Sequence, residues 1–192
     1  MPLKIAILAS GSGSNAENII SYFRNHPDFE FPVILSNKSE AFVHQRAKSL
    51  QIPSFTFPKV EFEQGTPILD LLKSYEIDSI VLAGFLLKIP QILIDNFPNK
   101  IINIHPALLP KYGGKGMYGS KVHEAVKNAG ETESGITIHY VNEKYDEGNI
   151  IFQAKCKLLP TDTADNIAEK VHALEYEYFP KIIEKTYLKQ LK

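Results

Sequence analysis

Cysteine is nearly absent from this chain: Cys156 stands alone in 192 residues, so no intrachain disulfide can form and a reducing compartment is expected. Runs of like charge are missing too. With 21 basic against 22 acidic side chains and a formal charge of −1, neither the footprint of a nucleic-acid binder nor a polybasic membrane patch is present. The apolar opening Ile5-Ala6-Ile7-Leu8-Ala9 is too short for a signal core or a span and passes straight into a Gly/Ser turn. A cytoplasmic chain with no membrane or nucleic-acid partner is expected, and any anionic ligand must be met by local groups. Metal-binding spacings are lacking as well. There is no cysteine pair, and His123-Glu124 is followed by Ala125-Val126-Lys127 rather than by a second histidine, so His105, His123, His139 and Asp146 predict no metal site.

What is present is an alternation of short β-rich apolar runs with amphipathic stretches, the pattern of an α/β fold with a mostly parallel twisted sheet flanked by helices. Strands are predicted near Leu3–Ala9, Phe31–Ser36, Ser54–Phe57, Ser79–Ala83 and Lys100–Ile104, with helices around Asn15–Arg24, Ala41–Leu50, Pro67–Tyr75 and Pro90–Phe97. Beyond residue 105 the character changes. A Gly/Pro-rich loop from Pro106 to Gly119 precedes a helix at Ser120–Asn128, then Gly135–Val141 and Asn149–Leu158 read as an antiparallel hairpin. A long closing helix from Ala164 to about Leu188 is expected to break near Pro180. No internal repeat or low-complexity segment appears, and 1–192 reads as one domain.

In an open α/β sheet, ligands bind at the carboxyl ends of strands near the point where strand order reverses. Two motifs sit at such ends. Ser10-Gly11-Ser12-Gly13-Ser14-Asn15-Ala16 follows the first strand and matches the relaxed dinucleotide fingerprint G-x-G-x-x-A. The second half of that fingerprint fails, because the second strand ends in Ser36-Asn37-Lys38 where a ribose-binding acid belongs. Hydroxyl and amide donors on Ser12, Ser14 and Asn15, beside a helix N-terminus, suit a compact phosphomonoester instead.

The second motif is Asn103-Ile104-His105-Pro106. Strand alternation points positions 103 and 105 the same way, and Pro106 holds His105 extended. Asp146 follows in the turn-like Asp146-Glu147-Gly148, which taken alone is an ordinary hairpin loop. Together, an amide, an imidazole and a carboxylate can carry a group through a charged tetrahedral species without metal or covalent intermediate. Cys156 and His139, both in strand-like settings, read as packed residues.

These motifs resemble the folate-dependent formyltransferases, and within them the phosphoribosylglycinamide formyltransferase family, along essentially the whole chain. The carriers are Gly11-Ser12-Gly13-Ser14-Asn15, Ser36-Asn37-Lys38, Val81 to Phe85, the run from Asn103 to Tyr112, Gly135 to His139, Asp146 with Gly148, and Glu175 before Tyr178-Phe179-Pro180. The resemblance implies a Rossmann-like formyltransferase fold, with 1–100 as the phosphate- and nucleotide-binding half and 101–192 as the catalytic and folate-binding half. It implies Asn103, His105 and Asp146 as the catalytic set, with Gly13, Ser14, Asn15 and Glu175 on the ribonucleotide. The segment Leu86, Leu87, Lys88 and Ile89 would hold the pterin-like ring. Glu143, Lys144, Tyr145, Asp146, Glu147 and Gly148, with Asn103, would complete the folate site. The implied co-substrate is 10-formyltetrahydrofolate, with small molecules as the only partners of a monomer or homodimer.

The implied chemistry is attack of a glycinamide amine on the formyl carbon, with Asn103 and a protonated His105 donating to the oxyanion and Asp146 raising the His105 pKa. Two departures stand out. The loop Gly113 to Gly119 is longer than the Pro-Gly turn common in the family, and no match to a folate-contacting arginine occurs in Lys59 to Leu69. Alternatives are a formyltetrahydrofolate hydrolase, expected to add an N-terminal regulatory domain, and a dinucleotide-dependent reductase, disfavoured by Ser36-Asn37.

Overall fold

The computed structural model describes residues 1–189, and its elements begin and end where the chain changes chemistry. Strands β1 (Leu3–Leu8), β2 (Phe29–Ser36), β3 (Ser54–Thr56), β4 (Ser79–Leu82) and β5 (Ile101–His105) pair in parallel, while β6 (Glu133–Tyr140) and β7 (Ile150–Lys157) pair antiparallel. The order across the sheet is β3-β2-β1-β4-β5-β6-β7. The chain therefore has the expected mostly parallel α/β architecture with an antiparallel C-terminal hairpin. The chain divides within β5 into two compact units, Met1–Asn103 with Val141–Glu143, and Ile104–Tyr140 with Lys144 onward.

In the first unit every residue of β4, and Ile5 to Leu8 of β1, is buried, as parallel strands covered on both faces must be. One side of this sheet packs Ala6, Leu8, Val33 and Leu35 with Ile68, Leu69, Leu72, Leu93 and Phe97. Those last residues come from α4 (Thr66–Ser74), α5 (Gln91–Asn96) and its C-terminal cap. The chain leaves β1 for β2 on one side and pairs it with β4 on the other, so strand order reverses at β1. That reversal places the ends of β1 and β4 side by side.

Helix α2 (Val43–Ser49) lies within its expected span, and α1 (Ser14–Tyr22) starts one residue before its own and ends two residues earlier. Helix α3 (Lys59–Gln64), six residues between Pro58 and Gly65, where φ is 77°, is not among the expected helices. A helix this short shows no periodicity. Tertiary packing forms it: Phe62 is fully buried against Phe85, with ring centroids 4.8 Å apart.

In the second unit α6 (Ser120–Asn128) has the expected bounds, and α7 (Ala164–Leu188) opens on a capping box between Thr163 and Asn166. The expected break near Pro180 is a correction. The helix runs through it, because Phe179, Ile183 and Tyr187 continue the buried face begun by Ile167 and Val171. Their burial offsets the one lost N–H.

The β6–β7 pair approaches closely at Gly135, where a Cβ would lie 1.9 Å from the Ala154 carbonyl oxygen. Gly135→Ala is expected to destabilise the chain by at least about 1–3 kcal/mol, read from the midpoint of urea unfolding. An unchanged midpoint would contradict the close approach.

Candidate active site

The glycine turn belongs to the first unit. Gly13 is the N-cap of α1, with φ 73°, and with no side chain it offers no cap there, so the positive helix end faces the turn, where the Ser14 N–H reaches the Ser12 hydroxyl at 3.4 Å. Gly11 and Ser12 are exposed, Ser14 is half-buried and Asn15 is buried. Gly13 is closed off: a Cβ there would meet Val43 Cγ2 at 2.5 Å. Behind the turn, Arg46 donates from Nε to the Ser12 carbonyl at 2.9 Å and pairs with Glu17. Ser10 joins the turn to the end of β4. Its hydroxyl donates to Asn37 Oδ1 at 2.5 Å and accepts from the Leu86 N–H at 2.9 Å.

That bond fixes the start of Leu86–Ile89. Leu86 and Lys88 are exposed, Leu87 is half-buried, and Ile89 is buried in the core beneath. Glu143 is exposed and belongs to the same unit.

The second unit brings His105 and Asp146 together. His105, at the last position of β5, is only 4% exposed, and its Nδ1 lies 3.6 Å from Asp146 Oδ2. Nε2 lies 2.7 Å from the Tyr112 carbonyl. A carbonyl only accepts, so Nε2 carries the proton and Nδ1 is the nitrogen that titrates. Asn103, half-buried, stands two positions earlier on β5. Asp146, in a left-handed conformation with φ 54°, accepts at Oδ2 from the Gly114 N–H at 2.9 Å. Its Oδ1 lies 3.6 Å from His139 Nε2, whose Nδ1 donates to the Tyr140 carbonyl at 2.8 Å. One carboxylate thus faces two imidazoles, each with its other nitrogen fixed on a backbone carbonyl. The β6–β7 register shifts between Ile138 and His139, and such irregularities re-aim side chains beside functional sites.

Burial pushes the His105 imidazole below its ordinary value, and the Asp146 charge and Tyr112 carbonyl restore only part of the loss. This corrects the expectation that Asp146 keeps His105 protonated near neutral pH. Desolvation exceeds the attraction, which a sequence cannot reveal. For Asp146, burial acts upward but is outweighed by the His139 and His105 imidazoles and the Gly114 N–H, so the carboxyl lies below its usual range. The resting pair is a neutral imidazole facing a carboxylate.

A cleft of about 520 Å³ opens beside this pair, lined by Leu109, Pro110, Gly113, Gly114, Asp146 and its neighbours Tyr145, Glu147 and Gly148. Lys144, exposed, pairs with Glu147 at 3.3 Å. Glu175, on the buried face of α7, accepts from His172 Nδ1 at 2.7 Å. Burial lowers the His123 pKa, opposed by the nearby Glu175. For Cys156, burial raises the thiol pKa, which suits packing rather than nucleophilic work. Among the described residues no group of three or more His, Cys, Asp and Glu side chains is placed to hold a metal ion.

Ser10, Tyr112 and Gly114 carry no role that the sequence makes legible. Their contributions are a hydroxyl, a carbonyl and an N–H. The only linear signal was the glycine pair at 113–114, which read as loop.

A family model described as formyl transferase matches residues 3–183. The chain is 37% identical over 186 residues to phosphoribosylglycinamide formyltransferase of Haemophilus influenzae, covering 94% of this chain and 85% of that one. It is 38% identical to the chloroplastic enzyme of that name from Arabidopsis thaliana and 40% identical to that from Vigna unguiculata. It spans 64% and 60% of the length of these two plant relatives. The crystal structure of phosphoribosylglycinamide formyltransferase from Streptococcus pneumoniae TIGR4 superposes with a TM-score of 0.85 at 33% identity, over 96% of this chain and 99% of that one.

In ¹⁵N-labelled protein, His105 Nε2 is expected to stay protonated while Nδ1 titrates below the ordinary 6.5, with Asp146→Asn lowering the midpoint further. Because the unfolded chain then takes up the proton first as pH falls, the His105 contribution to stability is complete above 6.5 and declines toward the folded midpoint. His105→Gln should flatten that part of the stability–pH curve. A midpoint above 6.5 would refute the assignment.

Proposed function

Because the chain belongs to the formyl transferase family, we propose that it transfers the formyl group of 10-formyltetrahydrofolate to the glycinamide amine of N1-(5-phosphoribosyl)glycinamide, in de novo purine biosynthesis. The observation that carries this reading is the ionised Asp146 carboxylate aimed at Nδ1 of an imidazole whose other nitrogen is fixed. Such a pair moves a proton without a metal or a covalent intermediate.

In this reading Gly13, Ser14 and Asn15 hold the substrate phosphate through α1 N–H groups and the Ser14 hydroxyl. Glu175 contacts the glycinamide side of the same substrate. Leu86–Ile89 offers backbone groups to the pterin-like ring, and Glu143 to Gly148 forms the loop against it. The two halves, 1–100 for nucleotide and 101–192 for catalysis and folate, act as one formyltransferase domain.

Attack of the amine on the formyl carbon produces an oxyanion and a positively charged nitrogen. The Asn103 amide donates to the oxyanion. His105 enters neutral and takes up at Nδ1, by way of Asp146 or a water, the proton that the attacking nitrogen sheds, so that a cation stands beside the developing negative charge. As the bond between the formyl carbon and the folate nitrogen breaks and the oxyanion returns to a carbonyl, the same route passes that proton to the departing nitrogen. The chain's expected setting is the cytoplasm, as a monomer or homodimer acting on small molecules, and the solitary cysteine favours a reducing compartment.

Hydrolysis of the formyl-folate would use the same groups with water as nucleophile. A reductase reading is disfavoured because Asn37, where a ribose-binding acid would stand, is tied to Ser10.

Formyl transfer to glycinamide ribonucleotide, with uncoupled hydrolysis followed in parallel, separates these readings. His105→Ala should lower kcat by about 10²–10⁴ and Asn103→Ala by about 10²–10³, with little change in ribonucleotide affinity. Ser14→Ala should raise the ribonucleotide KM instead. Near-parental kcat in either of the first two variants would remove that residue from the mechanism.

A further inference from the structure

The turn after β5 grips both members of the proton-transfer pair with neighbouring backbone groups. The Tyr112 carbonyl takes the His105 Nε2–H at 2.7 Å, and the Gly114 N–H reaches Asp146 Oδ2 at 2.9 Å. Between them Gly113 packs so closely that a Cβ would lie 2.5 Å from Leu109 Cδ2 and 3.3 Å from Asp146 Cβ. Holding this shape requires Tyr112 at φ 57° and Gly114 at φ 94°. Glycine adopts that region freely, whereas tyrosine persists there only where its surroundings over-determine it.

What determines Tyr112 lies on the other side of the segment. Its hydroxyl donates to Glu131 Oε1 at 2.8 Å, and the same oxygen accepts from Lys111 Nζ at 2.8 Å. A second cavity, of about 280 Å³, is lined there by Lys111, Tyr112, Glu131, Ser134 and Lys155, and it shares only Leu109 and Pro110 with the cleft that holds Asp146. Upstream the segment is already pinned. Buried Thr137 accepts from the Leu109 N–H at 3.0 Å and donates to the Ala107 carbonyl at 2.7 Å, while Gln153 donates to the Leu109 carbonyl at 3.0 Å.

We propose that Glu131 and the Tyr112 hydroxyl are positioning residues, which set the geometry of His105 and Asp146 from behind the turn. The effect on rate rests on the formyl-transfer reading; the effect on the imidazole does not. Burial raises the Tyr112 pKa while Lys111 and Tyr112 lower that of Glu131, so a neutral phenol donates to a carboxylate, the stronger kind of hydrogen bond. Without it, Tyr112 loses the contact that holds its left-handed backbone, and the carbonyl that fixes Nε2 swings with it.

The experiment uses the full chain with Tyr112→Phe, which keeps the ring, and Glu131→Ala as an independent second variant. The expected result is a kcat lower by about ten- to a hundredfold, with KM for both substrates unchanged. In ¹⁵N spectra His105 should pass from one Nε2–H tautomer to a mixture, with a displaced titration midpoint. A parental tautomer and midpoint in both variants would overturn the proposal. If the parent chain transfers no formyl group, the functional reading fails and the imidazole titration alone decides whether Glu131 and the Tyr112 hydroxyl position His105.

Discussion

Much in the second unit depends on one fixed hydrogen bond, that between His105 Nε2 and the carbonyl of Tyr112. Because a carbonyl cannot donate, the bond leaves a single nitrogen free to change its protonation, and that nitrogen faces Asp146. The surrounding features serve this geometry. Thr137 and Gln153 hold the chain leading into the turn, Gly113 gives it room, and Gly114 returns a donor to the carboxylate. A mobile imidazole could take either tautomer, and the alignment with Asp146 would then be lost for part of the time.

The second consequence concerns charge. Full burial makes an imidazolium costly in isolation, whereas a carboxylate at 3.6 Å recovers part of that cost. The balance leaves His105 neutral at rest and able to gain a proton once negative charge develops nearby. A site holding a permanent cation would stabilise bound substrate and transition state alike, and uniform stabilisation does not raise turnover. In the proposed reaction the favourable interaction would strengthen as the negative charge develops.

Much of this was legible in the chain. Alternation of apolar runs gave the parallel sheet, and Ser120–Asn128 has the bounds its periodicity predicts. Asn103, His105 and Asp146 could be singled out because amide, imidazole and carboxylate are chemically distinctive, and the structure joins His105 to Asp146. The failures share a cause. The six residues of α3 are helical because Phe62 finds Phe85, and α7 survives Pro180 because Phe179, Ile183 and Tyr187 find a buried face. Neither fact is local. The downward displacement of His105 follows from enclosure by residues distant in sequence, and the Tyr112–Glu131 bond spans 19 positions without any periodic signature. Side-chain types were readable, but long-range partners and desolvation were not.

Gly13 has an implication for reading mutational surveys of this turn. It sits at positive φ, and a Cβ there would lie 2.5 Å from Val43 Cγ2, so any side chain there deforms the contact with α2 whether or not an anion is held. Main-chain donors, meanwhile, are indifferent to the identity of the residue that bears them. A survey scored by growth would therefore mark Gly13 as the most intolerant position of the loop for architectural reasons. In the proposed function, the imprint of a bound phosphate would instead fall on its neighbour Ser14, half-buried and with its hydroxyl meeting that of Ser12 at 3.3 Å.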